Sequence, residues 1–394
     1  MEWPAHTSEV RPWSPQGRVP REDRMVTEVT VSIPPMIANL NYEPPLAVFL
    51  ASEKATTKIS ALNNESGHQL AAISGFLLRS EAVSSSKIER VNASRNDYAK
   101  ATVGLKASKD AEQIVAATMA IQKMIDSAKD GAITLEALLE AHHILLKADP
   151  IDAQYAGRLR EVQNWIGGSD YSPRGAVHVP PPHELVPALI EDLLIFANRD
   201  DIPVMAQAAI VHAQFESIHP FTDGNGRIGR ALIGAVLRRR NLTTTTVVPI
   251  ASAMVSDVET YFSLVNNYRN GAVTDFVHYL CVCAERAADA SQDSIRALNE
   301  LPEQWKQVVG ANQNSAALKI IDQLLNHPVI DSSQAAHFAG VKESSIYYAL
   351  DLLVDNEVLE VVSSSKRNRA WAAGDVLDEI DRLNDRLRQT NLKG

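Results

Sequence analysis

The 394-residue chain has little of what marks several large protein classes. Its only cysteines, Cys281 and Cys283, are spaced too tightly for an ordinary disulfide and are too few for a zinc site. We therefore expect buried, reduced thiols in a cytoplasmic protein. No apolar run approaches the roughly 18 residues of a membrane helix, and residues 1–24 contain no apolar core of signal-peptide length. We accordingly expect no membrane partner.

Positive charge is also scarce. The chain has 38 Lys and Arg against 48 Asp and Glu, and its formal net charge is -10. A protein that coats nucleic acid is therefore not expected, although a local basic site could still bind DNA. The length is sufficient for two or three globular domains with sizeable cores.

Apolar residues recur at helical spacing over most of the chain, which predicts a mainly α fold. Four consecutive segments are expected: an extended N-terminal arm over 1–40, a helical region over 41–110, a helical core over 111–290 and a C-terminal domain over 315–394. The arm contains Trp3 and Trp13 among several prolines. It is either a partly ordered tail or a strap that these tryptophans anchor.

The segment 167–185 interrupts the helical pattern with glycines and prolines. The alternation around Ala176, Val177 and His178 predicts a short β-hairpin, with the next helix beginning near Glu184. A long ordered loop of this kind is usually functional.

After about residue 315, three amphipathic segments precede a strand, a basic turn and a second strand. This order is typical of a winged helix-turn-helix domain. Residues 316–394 carry twelve acidic and nine basic residues, and the predicted recognition helix has no basic residue. Only Lys366, Arg367 and Arg369 in the wing could contact phosphate. Protein docking or dimerisation is therefore favoured over DNA binding.

The densest group of reactive side chains is "HPFTDGNGRIGR" at 219–230. It lies between two predicted helices, 203–218 and 228–240. Gly224 and Gly226 would let the first amides of the second helix approach an anion, and the helix dipole is positive there. Arg227 and Arg230 would add two guanidinium groups on one side of that helix. This arrangement predicts a polyphosphate site.

Two further residues of the loop suit transfer chemistry. Asp223 offers a hard oxygen ligand for Mg²⁺ shared with a polyphosphate. His219 is placed to accept a proton from a hydroxyl, and an ordinary imidazole pKa near 6.5 would suffice. The buried turn would be held by Pro220 and Phe221.

Other interpretations of the same letters fit less well. A dinucleotide fingerprint requires a strand before its glycines, whereas a helix is predicted here. A P-loop requires a lysine that is missing. A calcium loop requires an oxygen side chain where Arg227 stands.

The loop resembles the signature of the Fic family, His-Pro-Phe-x-[Asp/Glu]-Gly-Asn-Gly-Arg-x-x-Arg, at every fixed position. The stretches "GRLREVQNWIGG" and "AVHVPPPHELVPALIEDL" are also similar to the family, so the resemblance covers roughly residues 40–290. It implies a helical core with a small β-hairpin flap and transfer of AMP from ATP, with Mg²⁺, to a Ser, Thr or Tyr hydroxyl of a protein. That target is a separate protein or the chain itself.

The resemblance also implies roles for individual residues. His219 would be the general base, and Asp223 would bind Mg²⁺. Arg227 would contact the β-phosphate and Arg230 the γ-phosphate. The nucleotide would be held by the consecutive residues Gly224, Asn225, Gly226, Arg227, Ile228, Gly229 and Arg230. The flap residues Ala176, Val177 and His178 would dock the target.

A further implication concerns regulation. "SSKIER" is similar to the family's inhibitory motif [Ser/Thr]-x-x-x-Glu-[Gly/Asn], with Ser85 and Glu89 in place and Arg90 instead of the final residue. Glu89 would pair with Arg230, sheltered between two helices, and occupy the γ-phosphate position.

The sequence leaves several functions open. The first is an autoinhibited AMP transferase, with ATP, a target protein and a homodimer as its partners. The second is a non-catalytic sensor that binds DNA or protein. A third is removal of AMP, with Glu89 positioning a water molecule.

Overall fold

The computed structural model of the chain describes residues 3–15, 17–64, 70–363 and 369–391. The described residues are mainly helical, as predicted. In chain order they form β1 (Thr7–Pro12), α1 (Arg21–Arg24), β2 (Glu28–Ile33), α2 (Leu46–Asn64), α3 (Leu70–Ile88), α4 (Arg95–Thr102), α5 (Lys109–Ser127), α6 (Leu135–Leu146), α7 (Val186–Ala197), α8 (Val204–Ile218), α9 (Asn225–Arg239), α10 (Ile250–Met254), α11 (Val258–Tyr268), α12 (Val273–Val309), α13 (Ala316–Leu324), β3 (Val329–Asp331), α14 (Ser332–Ala339), α15 (Tyr347–Asp355), β4 (Glu360–Val361), β5 (Ala370–Ala372) and α16 (Gly374–Asn391). Across these described stretches, no helix combines the length and apolarity that crossing a bilayer requires.

The chain divides into two compact units, each assembled from three separate stretches. The first unit comprises Met1–Lys54, Met119–Leu242 and Glu259–Val282, and the second comprises Ala55–Thr118, Thr243–Val258 and Cys283–Gly394. This division differs from the four consecutive segments expected from the sequence. Four boundaries fall inside α2, α5, α11 and α12, where no proline- or glycine-rich linker marks them.

Helix α8 is the centre of the first unit. Every residue from Met205 to Ile218 is buried, because the helix is apolar or uncharged on all sides except at Glu216. A helix of this composition is stable only when it is surrounded. It packs against α7 and α9, and α6 contacts both of those helices.

The N-terminal arm folds as an antiparallel hairpin, in which β1 pairs with β2 from Thr7 opposite Ile33 to Pro12 opposite Glu28. Both tryptophans are anchors, as the strap interpretation requires. The indole of Trp3 is buried against Tyr42, Phe196 and Tyr268, with ring centroids 6.4 Å apart. Trp13 packs edge-on against Trp165 at 5.5 Å.

In the second unit, α3 packs against α10 and α16. The hydroxyl of Ser84 lies 2.9 Å from that of Ser252, and it donates to Asn384 Oδ1 at 3.1 Å. A separate apolar cluster joins α4 and α5 to the small sheet, and its buried members include Tyr98, Ala99, Ile114, Val329, Val362 and Leu377. The second unit is thus built around contacts between residues that are far apart in sequence.

The C-terminal part of this unit has the order helix, strand, helix, helix, strand, strand. Its sheet has the strand order β3-β5-β4, and all pairs are antiparallel. Strand β3 was not predicted, because three residues are too few to show an alternating pattern. Lys366 and Arg367 of the expected basic turn lie outside the described residues, so the winged helix-turn-helix assignment stays a prediction. Cys281 and Cys283 are buried and are not joined in a disulfide, as predicted.

Candidate active site

His219 ends helix α8 in a left-handed backbone conformation, with φ 48° and ψ 62°. Its N–H still donates to Phe215 O at 2.8 Å, so the turn follows directly from the helix. Positive φ is uncommon for a residue with a side chain and is often found at functional sites.

The buried side chain of Arg160 holds this turn in place. Its Nε donates to His219 O at 2.9 Å, and its guanidinium also donates to the carbonyls of Val162 and Pro181. One buried cation therefore ties the end of α8 to the segment on both sides of the flap. Its charge is partly compensated by these carbonyl dipoles.

The imidazole of His219 is half-buried, and its Nδ1 lies 2.9 Å from Nδ2 of Asn164 and 3.2 Å from Nδ2 of Asn225. Burial lowers the pKa of His219 to about 3, and the positive charges of Arg160 and Arg269 add to this effect. An ordinary pKa near 6.5 was expected to suffice, and the pKa in the structure is lower. The ring is neutral at physiological pH, as a proton acceptor must be.

Phe221 plugs the loop into the core, as predicted. Its ring is fully buried and stacks on His142 at 3.7 Å with an interplanar angle of 6°. The side chain of Asn225 holds the backbone of Phe221 on both sides. Its Oδ1 accepts from Phe221 N–H and its Nδ2 donates to Phe221 O, both at 2.8 Å.

His142 braces the next part of the loop. Its Nδ1 accepts from Gly157 N–H at 3.0 Å, so Nε2 carries the proton and donates to Asp223 O at 3.1 Å. Burial lowers the pKa of His142 to about 4, which keeps this tautomer neutral. His142 thereby fixes the backbone of the residue expected to bind a metal.

Helix α9 begins at Asn225, three residues earlier than predicted, because Gly224 caps it with φ 78°. A β-carbon at Gly224 would lie 2.9 Å from a methyl group of Leu145, so glycine is required by both conformation and space. The first helical hydrogen bond runs from Ile228 N–H to Gly224 O. The amides of Asn225, Gly226 and Arg227 precede that bond and have no helical acceptor.

The two arginines of the motif are both buried on α9, with exposed fractions of 4% for Arg227 and 2% for Arg230. Nη2 of Arg227 contacts Asp223 Oδ2 at 3.2 Å. Its Nε and Nη1 are buried and have no hydrogen-bond partner in the part of the chain that the structure describes. Because α9 starts early, Arg230 lies in the second turn of the helix rather than the first.

Ile228 and Gly229, which were expected to bind nucleotide, are packing residues in the observed structure. Ile228 is buried. A β-carbon at Gly229 would lie 2.5 Å from Glu216 Oε1 and 3.0 Å from the ring of Phe215. The glycine therefore permits the close approach of α9 to α8.

The carboxylate of Asp223 is 49% exposed at the mouth of this loop. The described residues contain no group of three or more His, Cys, Asp or Glu side chains that could hold a metal ion. If Asp223 binds Mg²⁺, as expected from the sequence, phosphate oxygens and water would have to complete the coordination.

The flap is a narrow hairpin, as predicted, with Ile166 opposite His178. Val177 is 65% exposed and Ala176 is partly buried. His178 points inward, where it donates to Ser217 O at 2.9 Å, and its pKa is lowered by burial. On the other side, Ser32 N–H of β2 donates to Val179 O at 2.8 Å, so the N-terminal hairpin extends the flap.

The predicted inhibitory residues lie at the end of α3, in the second unit. Ser85 is buried in the helix, whereas Glu89 is exposed just after its last residue. The expectation of a sheltered Glu89 is thus wrong. Arg90 has φ 61°, and Val91 N–H donates back to Ser86 O at 3.0 Å, which closes the helix with a left-handed cap.

Sequence reasoning missed Arg160, His142 and Asn164. Each lies more than 50 residues before the motif that it supports, so local spacing could not connect them with it. The stretch "GRLREVQNWIGG" had been noted only for its similarity to the family.

Comparisons with known proteins agree with this architecture. Residues 132–237 match the family model described as Fic/DOC family. The protein adenylyltransferase Fic of Nematostella vectensis is 31% identical over 166 residues, which is 41% of this chain and 35% of that protein. A probable protein adenylyltransferase of Aquifex aeolicus is 45% identical over 69 residues, 17% of this chain and 22% of that protein.

A crystal structure of a Fic family protein from Desulfovibrio desulfuricans superposes with a TM-score of 0.53 at 21% identity, covering 84% of this chain and 99% of that one. The fold is a helical domain in which the loop 219–224 leads into the N-terminus of α9. Residues 132–237 are therefore similar to the Fic/DOC family. Its matches span about a third of the length of the first curated relatives.

Proposed function

We propose that the chain is a protein adenylyltransferase that transfers AMP from ATP to a Ser, Thr or Tyr hydroxyl of a target protein. The observation that carries the proposal is one loop that combines a neutral, half-buried His219 with the acceptor-free amides at the start of α9 and the buried Arg227. The names of the matched relatives support the same activity.

The nucleotide phosphates would lie against the N-terminus of α9. The amides there need an acceptor, and phosphate oxygens are suitable partners because the helix dipole adds positive potential. Arg227 would donate its two unpartnered groups to the β-phosphate. Arg230 would contact the γ-phosphate.

Asp223 is the residue that would hold Mg²⁺ against the phosphates. When bound, the ion would neutralise negative charge on the phosphoryl oxygens. The exposed carboxylate and its contact with Arg227 fit a ligand that exchanges one cationic partner for another.

His219 would take the proton of the target hydroxyl. The hydroxyl oxygen forms a bond to the α-phosphorus, the bond to pyrophosphate breaks, and the proton moves to the imidazole. The flap at Ala176 and Val177 would align the target's backbone beside this position by strand addition.

The test is transfer of labelled AMP from ATP to proteins of a cell lysate and to the chain itself. His219→Ala should reduce transfer by on the order of 10²–10⁴-fold, because general-base catalysis contributes that much. ATP affinity, measured by calorimetry, should change little. The matched control is His278→Ala, which removes an exposed histidine from α12. Full transfer by His219→Ala would contradict the proposal.

We also propose that Glu89 restrains the enzyme by competing with the γ-phosphate for Arg230. Glu89→Gly should then transfer AMP faster by about 5–150-fold, the usual range of regulatory coupling. Because Glu89 is exposed, the melting temperature without nucleotide should fall only slightly. Glu89→Gln, which keeps the length and removes the charge, should also activate. An unchanged rate in both variants would refute the restraint.

The C-terminal part of the second unit is proposed to dock protein, including a second copy of the chain. The exposed face of α15 presents Tyr348, which is 81% exposed, beside Asp351 and Asp355. This acidic, aromatic surface suits a protein partner better than DNA. The absence of a disulfide between Cys281 and Cys283 supports the proposal of a cytoplasmic location.

Two alternatives concern the same chain. A sensor without catalysis would not need His219, so the His219→Ala experiment separates it from the enzyme. Removal of AMP would require Glu89, so Glu89→Gly would abolish it while it activates transfer.

A further inference from the structure

Among the described residues, the hydrogen-bond neighbours of the Nδ1 atom of His219 are two amide nitrogens, and no oxygen there could accept a proton from it. Nδ2 of Asn164 is 2.9 Å away, and Nδ2 of Asn225 is 3.2 Å away. Amide NH₂ groups only donate, so Nδ1 accepts and the neutral ring carries its proton on Nε2. In that tautomer Nε2 has no lone pair with which to take a proton from a hydroxyl.

The two amides differ in how firmly they are oriented. Asn225 is locked, because its oxygen accepts from Phe221 N–H while its nitrogen donates to Phe221 O. If the Asn225 amide were rotated by 180°, it would lose both hydrogen bonds, because its oxygen would face Phe221 O and its nitrogen would face Phe221 N–H. Its orientation therefore follows from the backbone of the loop.

Asn164 is held less firmly. Its Nδ2 donates to Phe221 O at 2.9 Å, an oxygen that also accepts from Asn225. Its Oδ1 is buried and has no hydrogen-bond partner among the described residues. A buried unsatisfied oxygen costs about 1–3 kcal/mol. Turning the amide would give this oxygen the Nδ1–H of His219 as a donor, in exchange for the bonds that Nδ2 donates to Phe221 O at 2.9 Å and to His219 O at 3.4 Å.

We infer that Asn164 is a positioning residue that sets the tautomer of His219. With its amide turned, Oδ1 accepts Nδ1–H of the ring and leaves the Nε2 lone pair for the target hydroxyl. This inference rests on the proposed transfer reaction, in which His219 is the base.

Because of the positive charges around the His219 ring, its tautomer can change while its net charge stays at zero. Arg160, Arg269 and His178 are the titratable groups whose electrostatic effect couples to His219. The two guanidinium charges and burial lower the pKa of His219 to about 3. The ring is therefore neutral in both amide orientations, and only the position of its one proton changes.

The experiment is nitrogen NMR of the full chain with ¹⁵N-labelled histidine, in which the His219 signals are assigned by their loss in His219→Ala. Asn164→Asp presents only acceptors and should place the proton on Nδ1. Asn164→Leu leaves Asn225 as the sole polar neighbour of Nδ1 and should place it on Nε2. The control Gln163→Leu alters the adjacent residue, which bonds backbone carbonyls rather than the ring.

Kinetics give an independent readout. Asn164→Leu should lower kcat by on the order of 10²-fold with KM for ATP unchanged, because a wrong tautomer removes the base. Asn164→Asp should retain transfer, with its acid limb moved to higher pH because a carboxylate favours the imidazolium.

Identical His219 nitrogen shifts in wild type, Asn164→Asp and Asn164→Leu would overturn the inference. So would wild-type kcat in Asn164→Leu. If wild type transferred no AMP, the proposed function would fail, while the nitrogen shifts would still decide the role of Asn164. If Asn164→Leu did not fold, the comparison of wild type with Asn164→Asp would decide it.

Discussion

At the level of a single residue, the buried side chain of Arg227 supports the proposed phosphate site. Its side chain is 4% exposed, and two of its nitrogens lack a partner among the described residues. Burying a cation without partners is costly, so a protein keeps one chiefly where a ligand completes it. Among the described residues, its hydrogen bond to Asp223 Oδ2 at 3.2 Å leaves most of the guanidinium fork available.

Arg227→Lys should therefore weaken ATP binding by about 10–100-fold, since lysine replaces a planar fork with a point charge. ADP should be affected equally and AMP little, because AMP lacks the β-phosphate. Calorimetry with the three nucleotides measures this, with the exposed Arg296→Lys as control. An equal loss for AMP would place Arg227 elsewhere on the nucleotide.

The backbone at the end of helix α3 is strained at Arg90. The residue adopts φ 61°, a conformation that costs a side-chain residue on the order of 1 kcal/mol and glycine almost nothing. The family motif has glycine or asparagine here, so the departure noted in the sequence is a departure in side chain and not in backbone geometry.

Arg90→Gly should raise the unfolding free energy by roughly 0.5–1 kcal/mol, because it relieves this strain. Glu357→Gly is a matched control, since Glu357 follows α15 with φ 60°. Both variants should melt higher in a thermal scan. A lower melting temperature in Arg90→Gly alone would show that the Arg90 side chain makes stabilising contacts that outweigh the strain.

The helices themselves were largely predictable. The apolar periodicity gave 203–218 and 184–199, and the structure has α8 over Val204–Ile218 and α7 over Val186–Ala197. The start of α9 was misplaced by three residues, because Gly224 works as a cap that apolar periodicity does not register. The β1–β2 hairpin was not predicted: β2 alternates polar residues with the buried Val29 and Val31, but β1 has no buried residue.

The sequence indicated which residues form the candidate site, but it did not indicate the residues that hold them in place. A single motif of twelve residues contains the proposed base, the helix N-terminal amides and the two arginines. The pKa of His219 was not predictable, because it depends on burial and on Arg160 and Arg269, which are distant in sequence. Likewise, His142 stacks on Phe221 from a helix whose apolar pattern showed it only as a core position.

At the scale of the whole molecule, the buried histidines are concentrated in the first unit. His142, His178 and His212 are all buried there, and burial is the main cause of the lowered pKa of each. The pKa of His212 is about 3, and the charge of Arg230 contributes to it. Their folded pKa values lie below the unfolded value near 6.5, so the unfolded chain binds more protons in acid.

The sign of the resulting pH dependence follows from this difference. The contribution of such a histidine is fully present above about pH 6.5 and is lost as pH falls toward its folded pKa. Each fully shifted histidine should lower the unfolding free energy by about 1.4 kcal/mol per pH unit, or about 2 kcal/mol between pH 6.5 and pH 5. Three of them amount to a large part of a typical total stability of about 5–15 kcal/mol.

We therefore expect the chain to lose stability steeply between about pH 7 and pH 5, and His212→Gln to lose about 2 kcal/mol less than wild type over that interval. Glutamine cannot be protonated, and its amide can still meet the hydroxyl of Tyr261, which lies 2.9 Å from His212 Nε2. Denaturant unfolding at both pH values measures the difference, and the exposed His278→Gln should reproduce the wild-type loss. If His212→Gln lost as much stability as wild type, His212 would have to be protonated in the folded protein at about pH 5, against its burial and the nearby charge of Arg230.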